Sequence, residues 1–90
     1  MKYIDQEIKD SILEYLGEEG HKYFSDLKDE YGTCWVNEDM GDGFYVHNWT
    51  TVGRRIKNHV IERFPDVVEE FGDYEDFEDY IYTIVEEIFR

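Results

Sequence analysis

The stretch TCWVNEDMGDGFYVHNW, residues 33–49, differs from the rest of the chain in its pattern. Its β-branched and aromatic residues fall in two runs, 33–37 and 44–49, which flank a turn-rich segment. The Asp42-Gly43 pair in that segment favours the positive φ angles of a tight turn. The stretch therefore predicts a β-hairpin, which is too small to be stable unless other elements pack against it.

Helical periodicity dominates on both sides of this hairpin. The first apolar stripe begins with Ile4, Ile8 and Ile12, at the spacing of one helical face, and Gly17 and Gly20 separate it from a second helix. The predicted helices cover about residues 3–16, 21–31, 52–64, 65–72 and 74–89. The expected fold class is α+β, with four to five helices packed around one hairpin.

Length and composition predict one soluble domain over residues 1–90. Two shorter domains would each bury too little core, and 41% hydrophobic residues with 18% aromatic ones suffice to fill a single core. Cys34 is the only cysteine, so the chain forms no internal disulfide, which favours a cytoplasmic location. No segment has the continuous apolar character of a signal peptide or a membrane span.

The net charge of −14 is distributed unevenly along the chain. Residues 1–49 carry a charge of −8, residues 50–64 carry +3, and residues 65–90 carry −9. Repulsion at long range opposes the approach of nucleic acid or an anionic membrane to such a chain. The expected partner is a basic protein, with no direct binding of nucleic acid and no membrane association.

Acidic residues form rows opposite the apolar stripes of the first and last helices. Helix-dipole effects explain acids at the start of the last helix, but they disfavour Glu86 and Glu87 at its carboxyl end. Solvated polar faces are also the ordinary property of a surface helix. The candidate partner-binding residues are Glu7, Asp10, Glu14, Glu75, Asp76, Asp79, Glu86 and Glu87.

The spacing of these acids permits imitation of nucleic acid. Six carboxylates between Glu75 and Glu87 span roughly 18 Å of helix, close to the spacing of about 3.4 Å per charge on one DNA strand. Two such helices side by side would approach the density of a duplex. The predicted function is an acidic inhibitor or nucleic-acid mimic of phage- or plasmid-type anti-defence, which binds a DNA- or RNA-binding protein. The alternative is a regulatory or structural interaction domain, with a homodimer as one form, whose acidic surface only provides solubility.

The segment TTVGRRIKNHVIER, residues 50–63, supplies a secondary candidate surface. On a helical wheel its basic and polar side chains face outward, as they do on a DNA-recognition helix. The acidic segments on either side, however, oppose the approach of nucleic acid. Exposed aromatic residues of the hairpin are candidate interface anchors as well. The secondary contact residues are Arg54, Arg55, Asn58, His59, Trp35 and Trp49.

Catalysis and metal binding are not expected. Cys34 would face His47 only if the hairpin turn were centred near Met40, and a turn at Asp42-Gly43 removes that pair, the one arrangement that could activate a thiol. The histidines lack the paired spacing of a zinc site, and the hairpin loop lacks the ligand pattern of a calcium loop. The sequence therefore predicts a binding protein, not an enzyme, without metal or cofactor.

Overall fold

The computed structural model describes residues 5–90 of the chain. Within these residues, four α-helices and one two-stranded antiparallel sheet form an α+β fold, as the sequence predicts. The elements are α1 (Asp5–Tyr31), β1 (Asn37–Asp39), β2 (Tyr45–His47), a 3₁₀ turn (Asn48–Thr50), α2 (Val52–Arg63), α3 (Pro65–Phe71) and α4 (Tyr74–Ile88).

Helix α1 combines the two helices that the sequence predicts before the hairpin. The backbone leaves the helical region at Gly17, with φ 66° and ψ −167°, and helical structure then continues through Gly20 to Tyr31. The predicted separation is thus a kink within α1. Ile12 before the kink and Phe24 after it are both buried in the same core. Ile4, which the sequence assigns to the first apolar stripe, lies outside the described residues.

The strands of the hairpin are shorter than expected. Its turn contains the predicted Asp42-Gly43 pair, and both residues have positive φ angles, 54° at Asp42 and 76° at Gly43. Strand pairing ends at Asn37 and His47, and beyond it Asn48 bonds to Val36 with its backbone N–H and with its side chain. Its Oδ1 accepts the Val36 N–H at 2.9 Å, and its Nδ2 donates to the Cys34 carbonyl at 2.8 Å. Asn48 is fully buried, so these bonds satisfy polar groups that would otherwise lack partners.

The core lies between α1, α2 and α4, with the base of the hairpin packed at one end. Apolar residues at helical spacing give each helix one buried face, which is what the sequence periodicity predicts. The buried hydrophobic side chains of α4 are Phe77, Ile81, Ile84 and Val85.

Helix α2 runs close to Trp49 and fixes the position of its ring. A Cβ atom added to Gly53 would lie 2.5 Å from Cε3 of Trp49, so only glycine permits this approach. The Trp35 ring meets Trp49 edge-on, with centroids 4.9 Å apart. Trp35 is itself buried and donates its indole N–H to the Tyr82 carbonyl at 3.1 Å. These contacts place Trp49 beside α4.

Candidate functional site

Glu86, one of the two acids without a local explanation in the sequence, is part of the folded framework. Its Oε1 accepts the Thr33 hydroxyl at 2.6 Å and the Cys34 N–H at 2.7 Å, while Oε2 pairs with Lys28 of α1. Partial burial opposes ionisation, but these three bonds together hold the pKa of the Glu86 carboxyl below its ordinary value. The expectation that Glu86 faces outward is therefore corrected, because its carboxylate joins α4 to α1 and to the start of the hairpin.

Glu87 also connects α4 to α1. Its Oε2 lies 3.2 Å from the Lys9 ammonium, and both side chains remain partly exposed. On the same edge of α4, the Tyr80 hydroxyl donates to Asp5 at 2.7 Å. The carboxyl-terminal acids of α4 thus have cationic partners from distant positions in the chain, which a helical wheel cannot show.

The other acids of α4 line an open cleft beside Trp49. Glu75, Asp79 and the half-buried Glu78 form its acidic side, and Trp49 and Tyr82 form its aromatic side, around a volume of about 350 Å³. The rings of Trp49 and Tyr82 are 5.5 Å apart and inclined at 64°. Glu75 and Asp79 are exposed, and within residues 5–90 no ion pair reaches either of them. We call this feature the α4 cleft.

A lysine of this chain, Lys57, lies next to the α4 cleft. Lys57 is only 8% exposed, and its ammonium lies 5.1 Å from the centroid of the Trp49 ring and 5.4 Å from that of Tyr74. It pairs with Glu78, which also lines the α4 cleft. Aromatic faces and a carboxylate together stabilise a cation that has lost most of its water. The α4 cleft contains the same two kinds of group, carboxylates and aromatic rings.

The acids of α1 face a separate cleft. Glu7, Asp10 and Glu14 are exposed and line it together with Ser11, with Arg63 of α2 and with Phe64, which follows α2. The edge of α1 that meets α4 instead carries Asp5 and Lys9. The acidic rows of α1 and α4 therefore do not lie side by side in one groove, which a duplex-like arrangement would require.

The secondary candidates of α2 fall into exposed residues and a residue that packs in the fold. Arg54, Arg55 and Asn58 are exposed, as the helical wheel predicts. His59 is half-buried: its Nε2 is 2.9 Å from the Ser11 hydroxyl and its ring stacks on Tyr15 at 4.5 Å. His59 thus contributes to the packing of α2 on α1. Of the two tryptophans, Trp35 is buried and Trp49 is half-buried in the wall of the α4 cleft.

Cys34 and His47 do not meet, because the register places His47 opposite Asn37. The His47 Nδ1 instead accepts the Trp49 N–H at 3.1 Å. Burial, with the nearby Glu86 charge, raises the pKa of the Cys34 thiol to about 11, so the thiol stays protonated at neutral pH. Cys34 lies fully buried and acts as a small apolar residue of the core.

Sequence reasoning missed the structural roles of Asn48 and Lys57. A signal existed for each: asparagine is depleted in strands, and Lys57 directly follows the core residue Ile56. Glu78, the partner of Lys57, borders the apolar arc of α4 on the wheel. Polar residues at the margin of an apolar stripe thus indicate a buried ion pair, but the pattern does not identify the partner.

Comparison of the chain with family models, curated proteins and solved structures finds no match. In the described part of the chain, no three histidine, cysteine or acidic side chains are grouped so that they could hold a metal ion. No helix within residues 5–90 is both long and apolar enough to cross a membrane.

Proposed function

We propose that this protein is an acidic binding domain whose partner is a basic protein surface, and that the partner is held at the α4 cleft. The observation that carries the proposal is that the exposed carboxylates of Glu75 and Asp79 line the same cleft as the aromatic side chains of Trp49 and Tyr82. Carboxylates and aromatic faces are the two groups that bind arginine and lysine side chains in proteins.

The chemistry of the cleft favours arginine in particular. A guanidinium group can lie against an aromatic ring and still donate hydrogen bonds to a carboxylate, because it is planar and its donors point outward in the plane. Lys57 illustrates the cationic preference of this region, since its ammonium sits between the rings of Trp49 and Tyr74. The net charge of −14 adds attraction at long range and accelerates encounter with a basic partner.

Nucleic-acid mimicry is the more specific form of this proposal. The exposed acids of α4 that no ion pair within residues 5–90 includes are Glu75, Asp76 and Asp79, which cover about one turn of helix. Glu86 and Glu87 are already paired with Lys28 and Lys9. A mimic built from this surface would match a short segment of phosphates. DNA and this domain would then compete for the basic groove of the partner.

Affinity capture with matched charge-reversal variants tests the proposal. The doubly substituted Glu75→Lys/Asp79→Lys protein should fail to retain a basic partner from a lysate of the host cell. A Glu18→Lys/Glu19→Lys control changes the net charge equally at exposed positions of α1 and should retain it. Equal loss with both variants would contradict the proposal, because binding would then follow net charge alone.

DNA competition separates the two forms of the proposal. Release of the captured protein by duplex DNA, together with loss of capture at high salt, would support mimicry. A partner that resists DNA but depends on Glu75 and Asp79 would support the broader form. Circular dichroism of each variant checks that its helical content is unchanged.

The alternative is a regulatory or structural interaction domain, with a homodimer as one form. Its support comes from the hairpin, where Met40, Phe44 and Tyr45 are all more than 60% exposed. Binding through such residues would persist at high salt, since apolar contacts are not screened. Sedimentation equilibrium over a range of protein concentrations tests for the homodimer.

A further inference from the structure

The outer end of the hairpin carries an apolar surface that continues beyond the body of the protein. Glu38 pairs with Val46, and Met40 donates its N–H to the Phe44 carbonyl at 2.7 Å, two residues further out on each strand. Residues two apart on a strand share a face. Met40 and Phe44 therefore extend the face of the hairpin that Glu38 and Val46 begin.

The inner part of this face packs against α1. Glu38 and Val46 are half-buried, and the Tyr23 hydroxyl of α1 contacts both the Glu38 carboxylate and the Asn48 amide. The outer part has no such cover, since Met40 is 62% and Phe44 is 63% exposed. Large apolar side chains at an exposed hairpin end have the character of interface anchors, which gain affinity by leaving water.

The sequence around this apolar end is acidic. No lysine or arginine occurs between Lys28 and Arg54, whereas that interval holds five acids. Asp39 and Asp42 are exposed next to the apolar pair, and the Asp39 carboxylate accepts the Gly41 N–H at 2.8 Å, which supports the turn. An apolar centre with an acidic rim is complementary to an apolar side chain flanked by basic ones.

We infer that the hairpin end formed by Met40 and Phe44 is a docking surface for a basic protein segment that presents an apolar side chain between its cationic residues. A second copy of this chain suits the surface less well, because two bodies of charge −14 repel each other. An anionic membrane is disfavoured by the same charge. The inference shares the basic partner with the proposed function, but it depends on different residues and on apolar burial.

Three synthetic peptides of equal length provide the probe. The first alternates lysine and arginine around a central leucine, the second has serine in place of that leucine, and the third has glutamate in place of every cation. Each is titrated into the isotope-labelled full chain while amide chemical shifts are recorded at near-physiological salt. The first peptide should shift the amides of residues 40–45, and the other two should bind at least tenfold more weakly.

Two variants make the assignment specific. Phe44→Ser should weaken the first peptide at least tenfold, whereas Tyr31→Ser, a change at another exposed aromatic residue, should leave its affinity within twofold. Amide spectra of the free variants check that the hairpin still folds. If Phe44→Ser proves to be misfolded, Met40→Ser provides the same comparison from the opposite strand.

The outcomes separate this inference from the proposed function. Shifts confined to residues 75–82 would overturn the inference and leave the α4 cleft as the binding site. Shifts at 40–45 with none at 75–82 would support the inference and contradict the α4 cleft. Equal binding of the serine peptide, or a dimer that Phe44→Ser dissociates, would also overturn the inference, the latter in favour of a second copy of the chain.

Discussion

The six carboxylates between Glu75 and Glu87 fall into two groups of three that look alike in the sequence. Each member of one group pairs with a lysine from another helix: Glu78 with Lys57, Glu86 with Lys28, and Glu87 with Lys9. The members of the other group, Glu75, Asp76 and Asp79, are exposed, and no ion pair within residues 5–90 includes them. An acidic helix can therefore hold structural charges and outward charges within fifteen residues.

The difference lies in what surrounds each carboxylate. Glu86 and Glu87 lie near the carboxyl-terminal end of α4, where lysines of α1 reach them, and Glu78 borders the buried face, where Lys57 of α2 reaches it. The outward acids, Glu75, Asp76 and Asp79, lie nearer the amino-terminal end of α4, and Glu75 and Asp79 face the open α4 cleft instead of a cation in the described part of the chain. Acid content alone thus overstates the charge that α4 can present to a partner by a factor of about two.

The largest expected effect comes from Glu78. In Glu78→Ala the ammonium of Lys57, which is 8% exposed, loses its counter-charge, and we expect a loss of about 3 kcal/mol in the free energy of unfolding. Urea denaturation measures it, with Asp79→Ala as the adjacent control. A Lys57→Met/Glu78→Leu double variant should recover most of the stability, since it removes both charges together. A cost for Glu78→Ala no larger than that for Asp79→Ala would contradict the division into two groups.

Glu86 should follow with a cost of about 2 kcal/mol on substitution to alanine. The change removes the acceptor of the Thr33 hydroxyl and the Cys34 N–H and leaves Lys28 without its partner. Glu75→Ala, the matched change on the outward side, should alter the free energy of unfolding by less than about 0.5 kcal/mol. Equal effects in urea denaturation would show that the bonds of Glu86 add no net stability.

The sequence was sufficient for features that depend on local pattern. The apolar stripe of α4, the end of α2 before Pro65 and the turn at Asp42-Gly43 all follow from residue spacing and backbone preference. It was insufficient for Glu86, whose partners Lys28 and Thr33 are more than fifty positions away. Contacts of that range depend on how the helices pack, which periodicity does not specify.

Acid titration should distinguish Glu86 from its outward neighbours. Because the pKa of Glu86 is lowered in the folded protein, its contribution to stability is present above the ordinary value of 4.5 and is lost as pH falls through the folded pKa. The stability difference between the wild type and Glu86→Gln should therefore be largest at neutral pH and shrink below pH 4.5. Urea midpoints at pH 7 and at acidic pH measure it. A difference that does not change with pH would mean that the charge of Glu86 is not what the fold uses.

The smallest effect on stability is expected where the effect on binding should be largest. In Glu75→Gln/Asp79→Asn the fold loses two exposed charges without ion pairs, and the lost helix-dipole attraction is offset by reduced repulsion among the acids. The free energy of unfolding should change by less than about 0.5 kcal/mol, while capture of the basic partner is lost. A loss above 1 kcal/mol in urea denaturation would place both residues among the structural acids and remove the basis for a binding role. Under the proposal of a basic partner, charges that the fold can lose without cost are the ones free to contact that partner.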